Sequence, residues 1–196
     1  MAGQIKFGTD GWRGLIADDF TFENVRKCAQ GLADYLKAIG IDSQGVVIGY
    51  DTRFLSKDFA DAVASVLAGS NIKVYLCTKA APTPVVSFNV LHYRAAGAVI
   101  ITASHNPHNW NGFKFKPEYA GSATQEITDA LECKIDLVNV VHEIPLGTAR
   151  SNDLLVDIDP DPPYIKSIEE QVSLKFIKEA GPVSYTHLTL PTSDLV

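Results

Sequence analysis

Two short polar clusters in this 196-residue chain hold side chains able to do chemistry. One, Thr102-Ala103-Ser104-His105-Asn106-Pro107, sets a serine hydroxyl beside an imidazole; the other, Gly49-Tyr50-Asp51-Thr52-Arg53, sets a carboxylate two residues from a guanidinium. Three reactions compete for these groups. The nucleophile elbow of a serine hydrolase needs glycine two positions either side of its serine, and Thr102 and Asn106 stand there instead. An aspartyl-phosphate enzyme built on Asp51 would carry a second acid two residues on, where Arg53 cannot serve as an acid or base. What remains is a serine that carries a phosphoryl group, with Arg13, Lys114 and His105 as cations or donors able to stabilise its charge. Asp51 and Arg53 also fit a structural ion pair at a strand end, since such networks imitate active sites.

Other candidate motifs reduce to ordinary structure. His108 lies three residues past His105, but no further ligands accompany the two, so it is expected to be a solvated histidine. Gly8, Gly11 and Gly14 follow GxxGxxG rather than GxGxxG and precede any strand-to-helix unit, so no nucleotide is implied. Asp157, Asp159 and Asp161 imitate the start of a calcium loop, but Pro162 stands at the turn glycine and Ile168 at the closing glutamate.

The clusters must be positioned by the elements around them. Phe22, Val25, Ala29, Leu32, Leu36 and Ile39 recur every three or four residues, with Thr21 placed as N-cap and Gly40 as stop, which predicts an amphipathic helix. Three apolar runs start 26 residues apart, at Val46, Ile72 and Ala98, and read as buried strands. Between them one helix opens at Ser56, carrying Phe59, Val63 and Val66, and another at Thr83-Pro84, with proline at the first helical position. This β-α-β-α-β pattern predicts a three-layer α/β/α domain with a mainly parallel sheet and right-handed crossovers. A further strand is expected over 112–116 and a further helix over 124–138. In open α/β sheets ligands bind beyond the carboxyl ends of the strands, which is where both polar clusters fall.

Ser151 to Pro163 is dense in Asp and Pro and reads as a linker. Ile165, Ile168, Val172 and Phe176 then outline a helix ending at Gly181, expected to be the first helix of a second α/β domain truncated there. Pro182 to Val196 has one charged residue, Asp194, and no periodicity. It resembles the translation of a transposon adapter used in sequencing libraries and is expected to be a non-native tail. The expected organisation is therefore residues 1–150 as a first domain, 151–181 as linker and truncated second domain, and 182–196 as tail.

Composition agrees with a folded chain: 46% of residues are hydrophobic and 20% charged, near the globular average, and the length suits one domain and part of another at about 150 residues each. Seventeen Lys and Arg against 23 Asp and Glu give a net charge of −6, the wrong sign for a nucleic-acid partner. Cys28, Cys77 and Cys133 are too few and too scattered for a disulfide framework or a zinc site, which favours a reducing, cytoplasmic compartment. No apolar run approaches the ~18 residues of a membrane span, and no signal peptide opens the chain.

Four motifs in one order, Phe7-Gly8-Thr9-Asp10-Gly11-Trp12-Arg13-Gly14, Gly49 to Arg53, Thr102 to Pro107 and Asn111-Gly112-Phe113-Lys114, resemble the first domain of the α-D-phosphohexomutases, the family of phosphoglucomutase and phosphomannomutase. The resemblance covers residues from about Ile5 to Lys114 and continues more loosely to Gly181. It implies a phosphoserine at Ser104 that exchanges its phosphoryl group with a hexose phosphate through a hexose 1,6-bisphosphate. It also implies Mg2+ held partly by phosphorylated Ser104, with the other ligands in a second domain. Arg13 and Lys114 would contact the transferring phosphoryl group or assist proton transfer, His105 would support the serine loop, and Thr9 would be a weaker substrate contact. A non-catalytic sugar-phosphate-binding module and a serine phosphotransferase with water as acceptor are the alternatives. Glucose and mannose are not distinguished, and the oligomeric state is left open.

Overall fold

A computed structural model describes residues 5–8 and 11–180. The chain divides into two compact units, residues 1–164 and 165–196. The first unit runs β1 (Trp12–Leu15), α1 (Phe22–Ala38), a 3-10 turn (Asp42–Gln44), β2 (Val46–Tyr50), α2 (Ser56–Gly69), β3 (Val74–Cys77), α3 (Thr83–Tyr93), β4 (Gly97–Ile101), β5 (Trp110–Pro117), α4 (Gln125–Asp136), α5 (Leu146–Ser151) and β6 (Leu155–Ile158). One six-stranded sheet has the order β1-β5-β4-β2-β3-β6. β4, β2, β3 and β6 are mutually parallel, while β5 runs antiparallel to both β4 and β1.

Local chemistry accounts for the elements. Thr21 caps α1 by accepting the amide of Asn24 on its hydroxyl at 3.2 Å, and Thr124 caps α4 in the same way through Ile127. β2 and β4 are buried at every position, as parallel strands covered on both faces require. The two faces differ in content. Trp12 pairs with Phe113, stacks on Phe20 at 4.9 Å, and Phe20 meets Phe59 of α2 at 4.8 Å, so this face carries the aromatic core under α2. Paired residues share a face and alternate residues change it, so Arg13, Gly112 and Lys114 lie on the other face, together with Ile100 and Gly49. α3 covers that face at Gly49, where a methyl group would come within 2.8 Å of Val86 Cγ1.

The linker expected over Ser151–Pro163 is corrected by β6, which pairs in parallel with β3 from Leu155↔Val74 to Ile158↔Cys77. Only Leu155 and Ile158 of this strand are buried, and the short apolar stretch Leu154 to Val156 is masked by the aspartates around it. Arg150 of α5 grips Asp157 through two hydrogen bonds, of 2.7 and 2.9 Å, and they hold the Asp157 carboxyl below the usual carboxylate range. The single helix expected from Ile165 to Phe176 is two helices, α6 (Asp161–Gln171) and α7 (Leu174–Ala180). The break falls at Ser173, whose hydroxyl accepts the amide of Phe176 at 3.3 Å. In the second unit Ile165, Leu174 and Phe176 are exposed. Gly181 and the tail expected over 182–196 lie outside the described residues.

α1 and α4 approach closely at Gly31, where an added Cβ would lie 2.8 Å from Ile135 Cα and 2.9 Å from its amide nitrogen. Helix propensity alone makes Gly31→Ala stabilising by about 1 kcal/mol. Because the obstruction is backbone, overpacking decides the sign, and the substitution is expected to destabilise by about 1–3 kcal/mol. Urea unfolding monitored by circular dichroism measures this; a gain in stability would show that the two helices separate freely.

Candidate functional site

β4 hands the chain to the serine loop at Thr102, whose amide donates to Gly112 O at 3.0 Å and ends the ladder with β5. Ser104 follows in the left-handed region, with φ 58°. That conformation costs an ordinary residue about 1–2 kcal/mol and persists only where the surroundings impose it. Here the Ser104 amide donates to Thr102 Oγ1 at 3.0 Å, and the Asn106 amide donates to Ala103 O at 3.1 Å. The outcome is an exposed hydroxyl at the carboxyl end of the sheet. His105 is exposed as well, its Nδ1 3.4 Å from Ser104 Oγ, a long contact.

Arg53, three residues past β2, holds the loop from below. Its Nη2 donates to the carbonyl oxygens of Ser104 and Asn106, each at 2.7 Å, and its Nη1 to those of Pro107 at 2.8 Å and Trp110 at 3.2 Å. Nε lies 3.3 Å from Asp51 Oδ2. Asp51 is itself fixed, its Oδ1 accepting from the Arg53 amide at 2.9 Å and from Ser56 Oγ at 2.6 Å. Asn111 completes the network by donating to Ser56 Oγ at 2.9 Å and accepting the amide of Gly112 at 2.8 Å. The Asp51–Arg53 pair is therefore structural in its geometry and local to the serine in its location.

Arg13 reaches the same loop, its Nη1 donating to Asn106 Oδ1 at 3.2 Å. Lys114 lies buried on β5 opposite Ile100, on the sheet face that Arg13 shares. The glycines of the two flanking motifs permit this approach. At Gly11, with φ 107°, a Cβ would sit 2.9 Å from Lys114 Cα, and at Gly112 it would meet Thr102 O at 2.6 Å and Arg13 Cγ at 3.0 Å. Thr9 lies outside the described residues.

A cavity of about 570 Å³ opens beside the serine, lined by Asp51, Thr52, Arg53, Phe54, Ser104, Asn106 and His108. Arg13 and Lys114 do not line it. His108, expected to be solvated, is exposed and borders the cavity, and Phe54 stands 70% exposed at its edge. Phe54 carried no motif signal, whereas the roles of Ser56 and Asn111 follow from their places beside Asp51 and Gly112. Among the described residues no three His, Cys, Asp or Glu side chains converge as a metal site. The three cysteines are free; burial pushes the Cys28 thiol far up and that of Cys77 up to about 12, so neither is a nucleophile at neutral pH. No described helix is long and apolar enough to cross a membrane.

The family model for phosphoglucomutase/phosphomannomutase, alpha/beta/alpha domain I, matches residues 4–138. The phosphoglucomutase of Staphylococcus saprophyticus is 40% identical over 148 residues, 74% of this chain and 27% of that protein. The phosphoglucomutase of Staphylococcus epidermidis is 34% identical over 97% of this chain and 33% of its own length. A solved structure from Thermus thermophilus, provisionally named a phosphomannomutase, superposes with a TM-score of 0.77 at 35% identity, covering 89% of this chain and 38% of that one. Fold and match together define an α/β/α domain that presents a serine loop at the carboxyl ends of its strands. The chain belongs to the phosphoglucomutase/phosphomannomutase family. It spans about a third of the length of the curated relatives it matches.

The left-handed serine gives a stability prediction. Ser104→Ala keeps the strained backbone and loses only an exposed hydroxyl, so its unfolding midpoint should stay near that of the parent. Ser104→Gly removes the strain and should be more stable than Ser104→Ala by about 0.5–1 kcal/mol. Equal stability of the two variants in parallel urea titrations would contradict the imposed conformation.

Proposed function

We propose that this chain is the phosphoserine domain of a phosphoglucomutase or phosphomannomutase acting in the cytoplasm, with a hexose phosphate as its substrate. The observation that supports this most is the exposed, left-handed Ser104, gripped at its carbonyl oxygen by Arg53 at the carboxyl end of β4 beside an open cavity.

In the forward half-reaction the bond between phosphorus and Ser104 Oγ breaks as a new bond forms from phosphorus to a sugar hydroxyl oxygen. The hydroxyl proton leaves to a neighbouring base while Ser104 Oγ takes up a proton from a neighbouring acid as it departs, and the products are free serine and a hexose 1,6-bisphosphate. After the bisphosphate turns over in the site, its other phosphoryl group passes to Ser104 Oγ, so the net change is a shift between the 1- and 6-positions. Such transfers depend on positioning and on preorganised charge. Arg13, tied to Asn106 in the serine loop, and Lys114, on the same sheet face, are the cations assigned to the transferring phosphoryl group or to its proton. His105 supports the loop, and Thr9 is assigned as a weaker substrate contact.

Mg2+, when bound, would offset the charge on the transferring oxygens. From the described residues its ligand would be the phosphate on Ser104, with the rest of its shell supplied from beyond this domain. We assign residues 165–180, which follow the first compact unit, to the start of that second domain.

The direct test incubates the chain with glucose 1,6-bisphosphate and Mg2+ and maps phosphate by mass spectrometry. Phosphate is expected on Ser104 and lost in Ser104→Ala. Phosphate elsewhere, or none, contradicts the reading, and steady release of inorganic phosphate instead points to water as acceptor. Because the groups that orient the sugar and grip its far phosphate are assigned to the remaining two thirds of the relatives' length, the chain alone should not interconvert hexose 1- and 6-phosphates. Turnover lost in Ser104→Ala would show the site to be complete. In a full-length enzyme carrying this domain, Lys114→Met should lower kcat by about 100-fold while KM changes little, as for a cation acting in the transition state. A change confined to KM would make Lys114 an anchor for bound substrate.

A further inference from the structure

We infer that Arg53 is a positioning residue for Ser104 and does not bind the phosphoryl group. The inference deepens the phosphoserine reading and rests on it for its catalytic half. An arginine side chain has five N–H donors in a planar fork. In Arg53 four of them meet the carbonyl oxygens of Ser104, Asn106, Pro107 and Trp110, and the fifth faces Asp51. Both Nη nitrogens are thus committed to the loop and Nε–H faces a carboxylate, so no Nη donor is left for a phosphate oxygen, although the side chain borders the cavity and is only 15% exposed.

The pattern of those bonds explains the serine backbone. One nitrogen chelates the carbonyls of Ser104 and Asn106, fixing the peptide that follows Ser104 and with it the left-handed turn. The other nitrogen closes the far side of the loop at Pro107 and Trp110. A bare ion pair with Asp51 describes the group poorly, because the Asp51 contact at 3.3 Å is longer than any of the four carbonyl contacts. Asp51 acts one step back: its second oxygen is engaged by Ser56 and by the Arg53 amide, which sets the direction of the guanidinium. Geometry, more than charge, is what the loop takes from residue 53, and lysine cannot supply it, having three donors on one nitrogen and no fork.

The test compares the parent chain with Arg53→Lys and Arg53→Ala in two measurements. In amide hydrogen exchange, Ser104, Asn106 and Trp110 are protected by bonds inside the loop. Arg53→Lys should speed their exchange by about tenfold or more, the effect expected for losing charge-assisted hydrogen bonds in a local opening, while β2 and β4 exchange as before. Phosphoryl uptake on Ser104 from glucose 1,6-bisphosphate should slow by a similar factor. Added guanidinium ion should restore both properties in Arg53→Ala, which a general loss of fold stability would not allow. Wild-type loop protection and uptake in Arg53→Lys would overturn the inference, as would faster exchange spread equally over β2 and β4. If the parent itself takes up no phosphate, the phosphoserine reading fails, and the exchange measurement still decides whether Arg53 holds the loop.

Discussion

A left-handed serine on an exposed loop will not keep its place unaided, and in this domain the restraint from outside the loop is one guanidinium, added to the bonds the loop makes within itself. Arg53 follows β2 and Ser104 follows β4, strands far apart in sequence and adjacent in the sheet. The chain leaves β2 toward β3 on one side and leaves β4 toward β5 on the other, so the loops part and a crevice opens between them. Crevices of this kind at the carboxyl ends of strands are where open α/β sheets bind ligands. Arg53 spans the gap, and the four carbonyls it gathers would otherwise need solvent or other donors to satisfy them. The cavity, the serine conformation and the link to Arg13 through Asn106 all follow from that closure.

The sheet divides its labour by alternation. On β1 and β5 the residues of one parity, Trp12, Phe113 and Phe115, feed the aromatic core, and those of the other, Arg13, Gly112 and Lys114, face the opposite side. Two antiparallel strands at the sheet edge thus put two cations on one sheet face, of which Arg13 reaches the serine loop through Asn106, without breaking the core. Gly11 and Gly112 make the arrangement possible, since side chains there would collide with Lys114 and Arg13. The spacing of these motifs in the sequence is the trace of that packing.

Much of this was legible in advance, and the reasons are specific. The helices with polar N-caps, α1 and α4, and the strands with continuous apolar runs, β2 and β4, carry their signals within a few residues. β1, α5 and β6 are four to six residues long and draw their stability from neighbours, so periodicity had nothing to register. Of the residues the motifs single out as candidates, Ser104 and His105 lie on one loop that Arg13 reaches, with Lys114 on the adjoining strand. Arg53 was visible as one half of an ion pair; its larger role comes from bonds to carbonyls 51 to 57 residues away, which residue types cannot report.

Both Nη nitrogens of Arg53, with all four of their N–H groups, are engaged by fixed carbonyl acceptors, and on that the serine loop depends. Nitrogen-15 NMR of the arginine side chains in the 196-residue chain reads this directly. A guanidinium clamped on four carbonyls and a carboxylate should show separate, slowly exchanging Nη proton resonances for Arg53 and hindered rotation about its Cζ–Nε bond. A single averaged Nη signal exchanging with water as fast as those of the solvated arginines would contradict it.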